Sequence, residues 1–316
     1  MLLRAARFVA AGIVLTICAS ACGSHAAPPA GDRSRFTVDS PPPATFTPST
    51  DGPAGLTFPV DAYRATASQS LAIENATQIL IARCAKQFAV TVPVQLRAIE
   101  PVLSYRHLYG VTDSAEAQRW GYQVPPGQAP AAPAAAEAEP ISRDDMTVVS
   151  GWPQGRIGDP AHPPADLVRN GRKVPVGGCR GEATRTLGLR ANENPQESPT
   201  VRGIADSASH QAQADSRVTG AYQAWSQCMK DRGFNYQSPW EPIDKVWPKP
   251  TAGEETNTAV ADVACKKKVD LISIWHGVEV AYEKVLIQRN LTTLTEEKKR
   301  FDVIAEKAAK VLAEGA

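Results

Sequence analysis

Neither sign of charge dominates this chain of 316 residues: 34 Lys and Arg stand against 33 Asp and Glu. The dense positive field that phosphate-backbone binding draws on is missing, and no nucleic-acid partner is expected. Long apolar runs are missing as well. The run Phe8 to Ile17 has ten residues, about half of the roughly 20 that a bilayer-spanning helix needs, and a polytopic membrane protein is excluded. Aromatic residues are sparse at 6%. No G-x-S-x-G elbow, H-E-x-x-H pair, P-loop or G-x-G-x-x-G fingerprint occurs, which removes the commonest hydrolase, metalloprotease and nucleotide-binding signals.

What is present begins with an address. Arg4 and Arg7 precede the short apolar run, as in the n-region and h-region of a secretory signal. Ala19-Ser20-Ala21-Cys22-Gly23 then sets small residues before a cysteine, an arrangement that resembles the lipobox of bacterial lipoproteins. On that reading residues 1–21 are removed and Cys22 carries a diacylglyceryl group, whose two acyl chains give stable anchoring where one would not. Ala19 replaces the larger aliphatic residue usual in lipoboxes, and Ala19-Ser20-Ala21 also fits ordinary cleavage of the A-x-A kind. Both readings export the chain. Losing Arg4 and Arg7 leaves 32 basic against 33 acidic residues, a formal charge of −1.

Of six cysteines, Cys18 leaves with the leader and Cys22 is the acyl acceptor, which leaves Cys84, Cys179, Cys228 and Cys265. In an exported chain an even remainder without C-x-x-C spacing reads as two disulfides. Sequence permits three pairings. A division of the chain into two halves favours Cys84 with Cys179 and Cys228 with Cys265, contributing about 4.7 and 3.8 kcal/mol by loop entropy.

Residues 22–59 hold eight prolines from Gly23 onward and little apolar content, which predicts a disordered tether. Residues 60–190 form a first helical half, with a helix expected over 61–90 from the spacing of Ile73, Ala76, Leu80, Cys84 and Phe88. A second helix is expected to open at Asp113. Tyr105, Tyr109, Trp120 and Tyr122 surround it, as core or as a cradle for a sugar or peptide. A Pro/Ala-rich insertion spans about 124–164, and Asn170-Gly171 predicts a short hairpin. Gly177-Gly178 precede Cys179 and allow a tight approach to the first helix.

Residues 200–316 form the second half. Asp215 or Ser216 caps a helix ending near Arg232; one long helix, about 54 Å, is expected from 254 to 289. A last helix, capped by Thr293 and Glu296, is expected to pack antiparallel on it. Cys84-Ala85-Lys86 and Cys228-Met229-Lys230 suggest a faint repeat between the halves. The fold class expected is mainly α: a helical domain with two disulfides, a short β-hairpin and long Pro/Ala-rich loops.

The motifs Gly177-Gly178-Cys179 with Gly181-Glu182-Ala183, Ala224-Trp225-Ser226-Gln227-Cys228-Met229-Lys230 with Gly233-Phe234, and Ala261-Asp262-Val263-Ala264-Cys265-Lys266 occur together with Tyr109-Gly110-Val111. In these the chain resembles a group of secreted lipoproteins of high-GC Gram-positive bacteria, over most of residues 59–312. The resemblance implies export, lipidation and paired cysteines. It supplies no catalytic residue.

His276, Glu279 and Glu283 recur at helical spacing, so an imidazole and two carboxylates share one face, as metal or acid/base chemistry requires. A solvated helix face explains the same spacing. Lys266-Lys267-Lys268 offers a contact for anionic lipid or teichoic-acid phosphate, or simply a helix flank. The functional expectation is a membrane-anchored, non-enzymatic binding or structural component of the bacterial cell envelope. It would meet the membrane through its lipid and an unidentified envelope protein or polymer, with no cofactor. The alternatives are an envelope hydrolase whose site is assembled from distant residues, and a regulator docking on a membrane partner through a long helix.

Overall fold

Side chains that satisfy orphan backbone groups set most of the helix starts. The computed structural model describes residues 36–46, 56–97, 108–125, 141–153, 164, 166–191, 193–247 and 253–315. The segment read as a leader, Cys22, Tyr105 and most of the Pro/Ala-rich insertion lie outside them. A 3-10 turn (Pro59–Tyr63) precedes α1 (Ala67–Lys86), which Thr66 and Gln69 open in a reciprocal cap. Asp113 caps α2 (Ser114–Trp120) and Ser142 caps α3 (Arg143–Ser150). A two-residue hairpin follows, β1 (Val168–Arg169) with β2 (Arg172–Lys173). Its turn residues, Asn170 at φ 51° and Gly171 at φ 74°, are both left-handed, as a primed turn requires. After α4 (Gly178–Leu187), Ser198 caps α5 (Pro199–Ala214) and Asp215 caps α6 (Ser216–Asp231). The chain continues through α7 (Trp240–Asp244), α8 (Gly253–Lys268), α9 (Leu271–Arg289) and α10 (Leu291–Ala313). The fold is mainly α, with the expected hairpin and both expected disulfides.

Cys84 and Cys179 join the end of α1 to the first turn of α4, with Cα atoms 5.5 Å apart. Cys228 and Cys265 join α6 to α8 across 5.6 Å. The Cys-x-Lys likeness extends to backbone geometry. Five residues beyond each leading cysteine the chain turns left-handed, at Ala89 (φ 59°) and Gly233 (φ 89°). Val90 N–H donates to Ala85 O and Phe234 N–H to Met229 O, corresponding bonds that close both helix ends. The partner cysteines sit differently, one opening a helix and one near the end of another.

Several expectations are corrected. The helix expected over 254–289 is two helices, broken at Asp270, which is left-handed at φ 53° and accepts from Ser273 Oγ. Aspartate tolerates that conformation better than most residues. The break turns α9 into the core, where it is buried nearly all round, from Leu271 and Trp275 through Val278, Tyr282 and Leu286.

The last helix does not pack antiparallel on its predecessor. Asn290 alone separates α9 from α10, too short a link for a helical hairpin. The α10 stripe of Phe301, Ile304, Ala308 and Val311 meets Ile73, Ala76 and Ile79 of α1 instead. First and last helices therefore share a core, with Phe301 and Ile304 of α10 packed among Ile73, Ala76 and Ile79 of α1. The helix expected over 61–90 is confined to 67–86, and α10 starts at Leu291 rather than at a Thr293 cap. Gly178 makes its close approach to α3 rather than to α1. A Cβ there would lie 2.6 Å from Val149 O and 2.4 Å from Gly151 N.

Part of the segment expected to be a tether is packed as well. Phe36, Val38 and Ala44 lie against the cluster built from α5 and α9, and Leu56, Phe58 and Val60 join it. Both helices carry a mid-helix glycine where this strap crosses them. A Cβ on Gly203 would stand 2.6 Å from the Phe36 ring, and one on Gly277 would stand 2.5 Å from Thr45 O. Polar bonds fix the strap between its apolar seats. Gln211 Nε2 and Ser207 Oγ donate to Phe36 O, and Gln211 Oε1 accepts from Val38 N–H. Arg289 donates to Thr37 O, and Arg217 to Pro42 O. Proline-rich composition misses this because the few apolar residues fall where the helices have left room for them.

Candidate functional site

Helix α9 places its acidic face inward. Glu279 is 4% exposed and Glu283 1% exposed, one turn apart on a helix that also buries Val278 and Tyr282. Tyr109 O–H donates to Glu279 Oε2 at 3.1 Å, and Ser209 of α5 also bonds that carboxyl. Val60 N–H donates to Glu283 Oε2 at 3.0 Å, from the 3-10 turn of the strap. Burial pushes Glu279 up to about 7. It pushes Glu283 up to about 8, with the Glu279 and Asp61 charges adding to the rise while the Val60 bond and Arg64 oppose it. Burial and the Glu279 charge drive the Tyr109 phenol upward too. Two carboxyls at helical spacing, each desolvated, with the Glu279 charge felt by Glu283, make a perturbed acid cluster.

His276 stands at the outer edge of this cluster. Its Nε2 lies 3.0 Å from Thr57 O, and its ring meets Phe58 edge to face at 5.0 Å between centroids. Burial lowers its basicity. The expected triad of His276, Glu279 and Glu283 therefore does occupy one helix, and its partners are the strap, Tyr109 and Ser209. No group of three or more metal-binding side chains converges among the described residues. The arrangement sets two carboxyls of raised proton affinity beneath the 3-10 turn of the strap.

A second buried charge cluster lies on α8. Lys266 Nζ donates to Asp262 Oδ2 at 3.0 Å and to Val111 O at 3.0 Å. Trp225 Nε1 and Tyr122 O–H donate to the same carboxylate. Burial pushes the Asp262 carboxyl up, while Lys266, Trp225 and Tyr122 pull it back. Lys266 is 2% exposed, so the basic run is not the surface patch its sequence suggested: the helix turns its first lysine into the core. Lys267 reaches Ser114 Oγ at 3.2 Å. Only composition spoke for the patch; burial of Lys266 depended on which face α2 covers.

Beside this cluster the loop after α2 encloses a cavity of about 190 Å³, lined by Trp120, Tyr122, Gln123, Glu116 and Ile243 among others. Tyr122 stacks on Trp247 at 5.9 Å, and Glu255 accepts from Tyr122 N–H and Gln123 Nε2, which fixes the wall. The aromatic residues expected to cluster separate into two places. Tyr109 packs on Trp275 in the core at 4.8 Å, whereas Trp120 and Tyr122 face the cavity.

The two disulfides set the compartment: a chain with four cysteines joined in this way folds in an oxidising, extracytoplasmic environment. No helix among the described residues is long and apolar enough to cross a membrane. Comparison with known proteins returned no match to a family model, a curated protein or a solved structure.

Proposed function

We propose that this chain is a lipoprotein held on the outer face of the bacterial cytoplasmic membrane, acting there as a non-enzymatic binding or structural component of the cell envelope. The observation that carries the reading is the pairing of cysteines. Cys84, Cys179, Cys228 and Cys265 are consumed in two bridges, so once the leader with Cys18 is gone, Cys22 remains for the acyl group. A binding role is supported by the cavity beside Trp120 and Tyr122, an aromatic-walled concavity on a braced wall. A hydrolase reading has less to work with, because the perturbed carboxyls Glu279 and Glu283 lie beneath the strap. A docking reading loses its helix, since the long helix expected over 254–289 is split at Asp270 with α9 buried nearly all round, and α1 covers the apolar stripe of α10.

The test is replacement of the acyl acceptor. Cys22→Ala chain should leave the membrane fraction and appear in the medium, fully folded and without reactive thiol. Retention of that variant in the membrane fraction would overturn the anchor.

A further inference from the structure

The cavity beside α2 lacks one sign of charge on its walls. Trp120, Tyr122, Val111, Val124 and Ile243 give it an apolar lining, and Glu116 is the one carboxyl there. No lysine, arginine or histidine lines it among the described residues. At about 190 Å³ it is larger than the roughly 150 Å³ of an apolar cavity that takes up benzene, so it admits a group somewhat bigger than one ring.

Donors near the lining are already engaged. Tyr122 O–H donates to Asp262 at 3.3 Å and Gln123 Nε2 to Glu255 Oε2 at 3.1 Å. Lys266 Nζ would stand 3.1 Å from a Cβ on Gly110, so this lysine lies close behind the wall, but Asp262 and Val111 O hold its ammonium. Glu255 has no such match. It is fully buried, its oxygens accept from Tyr122 N–H and Gln123 Nε2, and no cation pairs with it among the described residues. A Cβ on Gly121, at φ 60°, would lie 2.7 Å from Glu255 Oε1, so glycine there is what brings this carboxyl against the lining. A buried carboxyl answered only by neutral donors keeps its attraction for a cation. The outer side of the same wall already holds two cations of the chain itself. Arg119 lies over the Trp120 ring at 5.1 Å, and Lys245 Nζ lies 3.9 Å over Trp247, which stacks on Tyr122. The π surfaces of this wall therefore accept positive charge.

We propose that the cavity binds a small organic ammonium ion, whose alkyl groups pack on Trp120 and Tyr122 and whose charge is drawn by Glu116 and Glu255. Phosphate and other anions are disfavoured, because the one lysine close by is buried and matched by Asp262. The inference deepens the binding role of the envelope component and rests on it.

Nuclear magnetic resonance titration of the full exported chain, disulfides intact and ionic strength constant, tests this with three probes: choline, its uncharged isostere 3,3-dimethylbutan-1-ol, and inorganic phosphate. Choline should move the Trp120 indole N–H and the Gly121 and Gln123 amides saturably, and should bind roughly tenfold more tightly than the isostere. Phosphate should leave these resonances in place. Glu116→Gln should weaken choline roughly threefold and leave the isostere unchanged. Trp120→Leu should abolish choline binding; Val124→Trp, at an exposed lining position, should block the cavity in its place if that variant folds poorly. Equal affinity for choline and the isostere would overturn the cation assignment while leaving a binding cavity. Movement of the same resonances by phosphate, or choline shifts confined to other helices, would overturn it too. No saturable shift with any probe would overturn the binding role of the cavity along with it, whereas fractionation of the Cys22→Ala chain reads the anchor independently.

Discussion

Helices α8 and α9 each bury a pair of ionisable side chains at the same i,i+4 spacing, and the two pairs have opposite characters. On α8 the partners are Asp262 and Lys266, of opposite charge, with Trp225, Tyr122 and Val111 O completing their hydrogen bonds. On α9 they are Glu279 and Glu283, of like charge, with Tyr109 and Val60 N–H as donors. Spacing and burial are matched; only the sign of one charge differs. A buried pair of opposite sign with satisfied donors is a fixed structural element, whereas a like pair stays intact only while protons stay on it.

Breaking the α8 pair should give the largest effect. Lys266→Met leaves Asp262 buried without its cation and should cost about 3–5 kcal/mol in urea unfolding, and adding Asp262→Asn should recover part of that loss. The α9 pair should respond in the other direction. Because burial raises both folded-state carboxyls, their contribution is fully present below the ordinary glutamate range and is lost as pH rises through about 7 and about 8. Glu279→Gln with Glu283→Gln should therefore flatten the stability profile, raising stability by about 2 kcal/mol at about pH 8 and by little near pH 5. Unfolding midpoints across that range check it; a wild-type profile that rises towards pH 8 would contradict the assignment.

The two cysteine-bearing helix ends permit a smaller comparison. Gly233 takes the left-handed position at the end of α6 without strain, whereas Ala89 takes it at the end of α1 with a Cβ. Ala89→Gly should stabilise the chain by about 1 kcal/mol, and Gly233→Ala should destabilise it by a similar amount. Thermal midpoints of the two variants would check both signs.

Much of the fold was legible because its signals are local. Asp113 and Asp215 cap the next turn of their own chain, Asn170-Gly171 bends on itself, and an even set of four cysteines calls for bridges. The helices α3, α4 and α5 escaped notice because their stripes are short or made of small residues such as Ala208 and Ala212. His276, Glu279 and Glu283 were visible as a spacing, but whether that face met water or protein was not. Lys266, Tyr109 and Val60 gave no sign of their partners, which lie about 155, 170 and 223 residues away along the chain.

Sequence alone determined the mainly helical class of this protein, its short hairpin, several helix caps and the expectation that its four later cysteines pair, since each depends on residues that act on near neighbours or on simple counting. Tertiary structure alone decided which carboxyls lost their water, where the proline-rich strap lies and why α10 seeks α1. Those outcomes follow from which surfaces remain to be covered once the helices have packed, a property of the whole assembly rather than of any stretch within it.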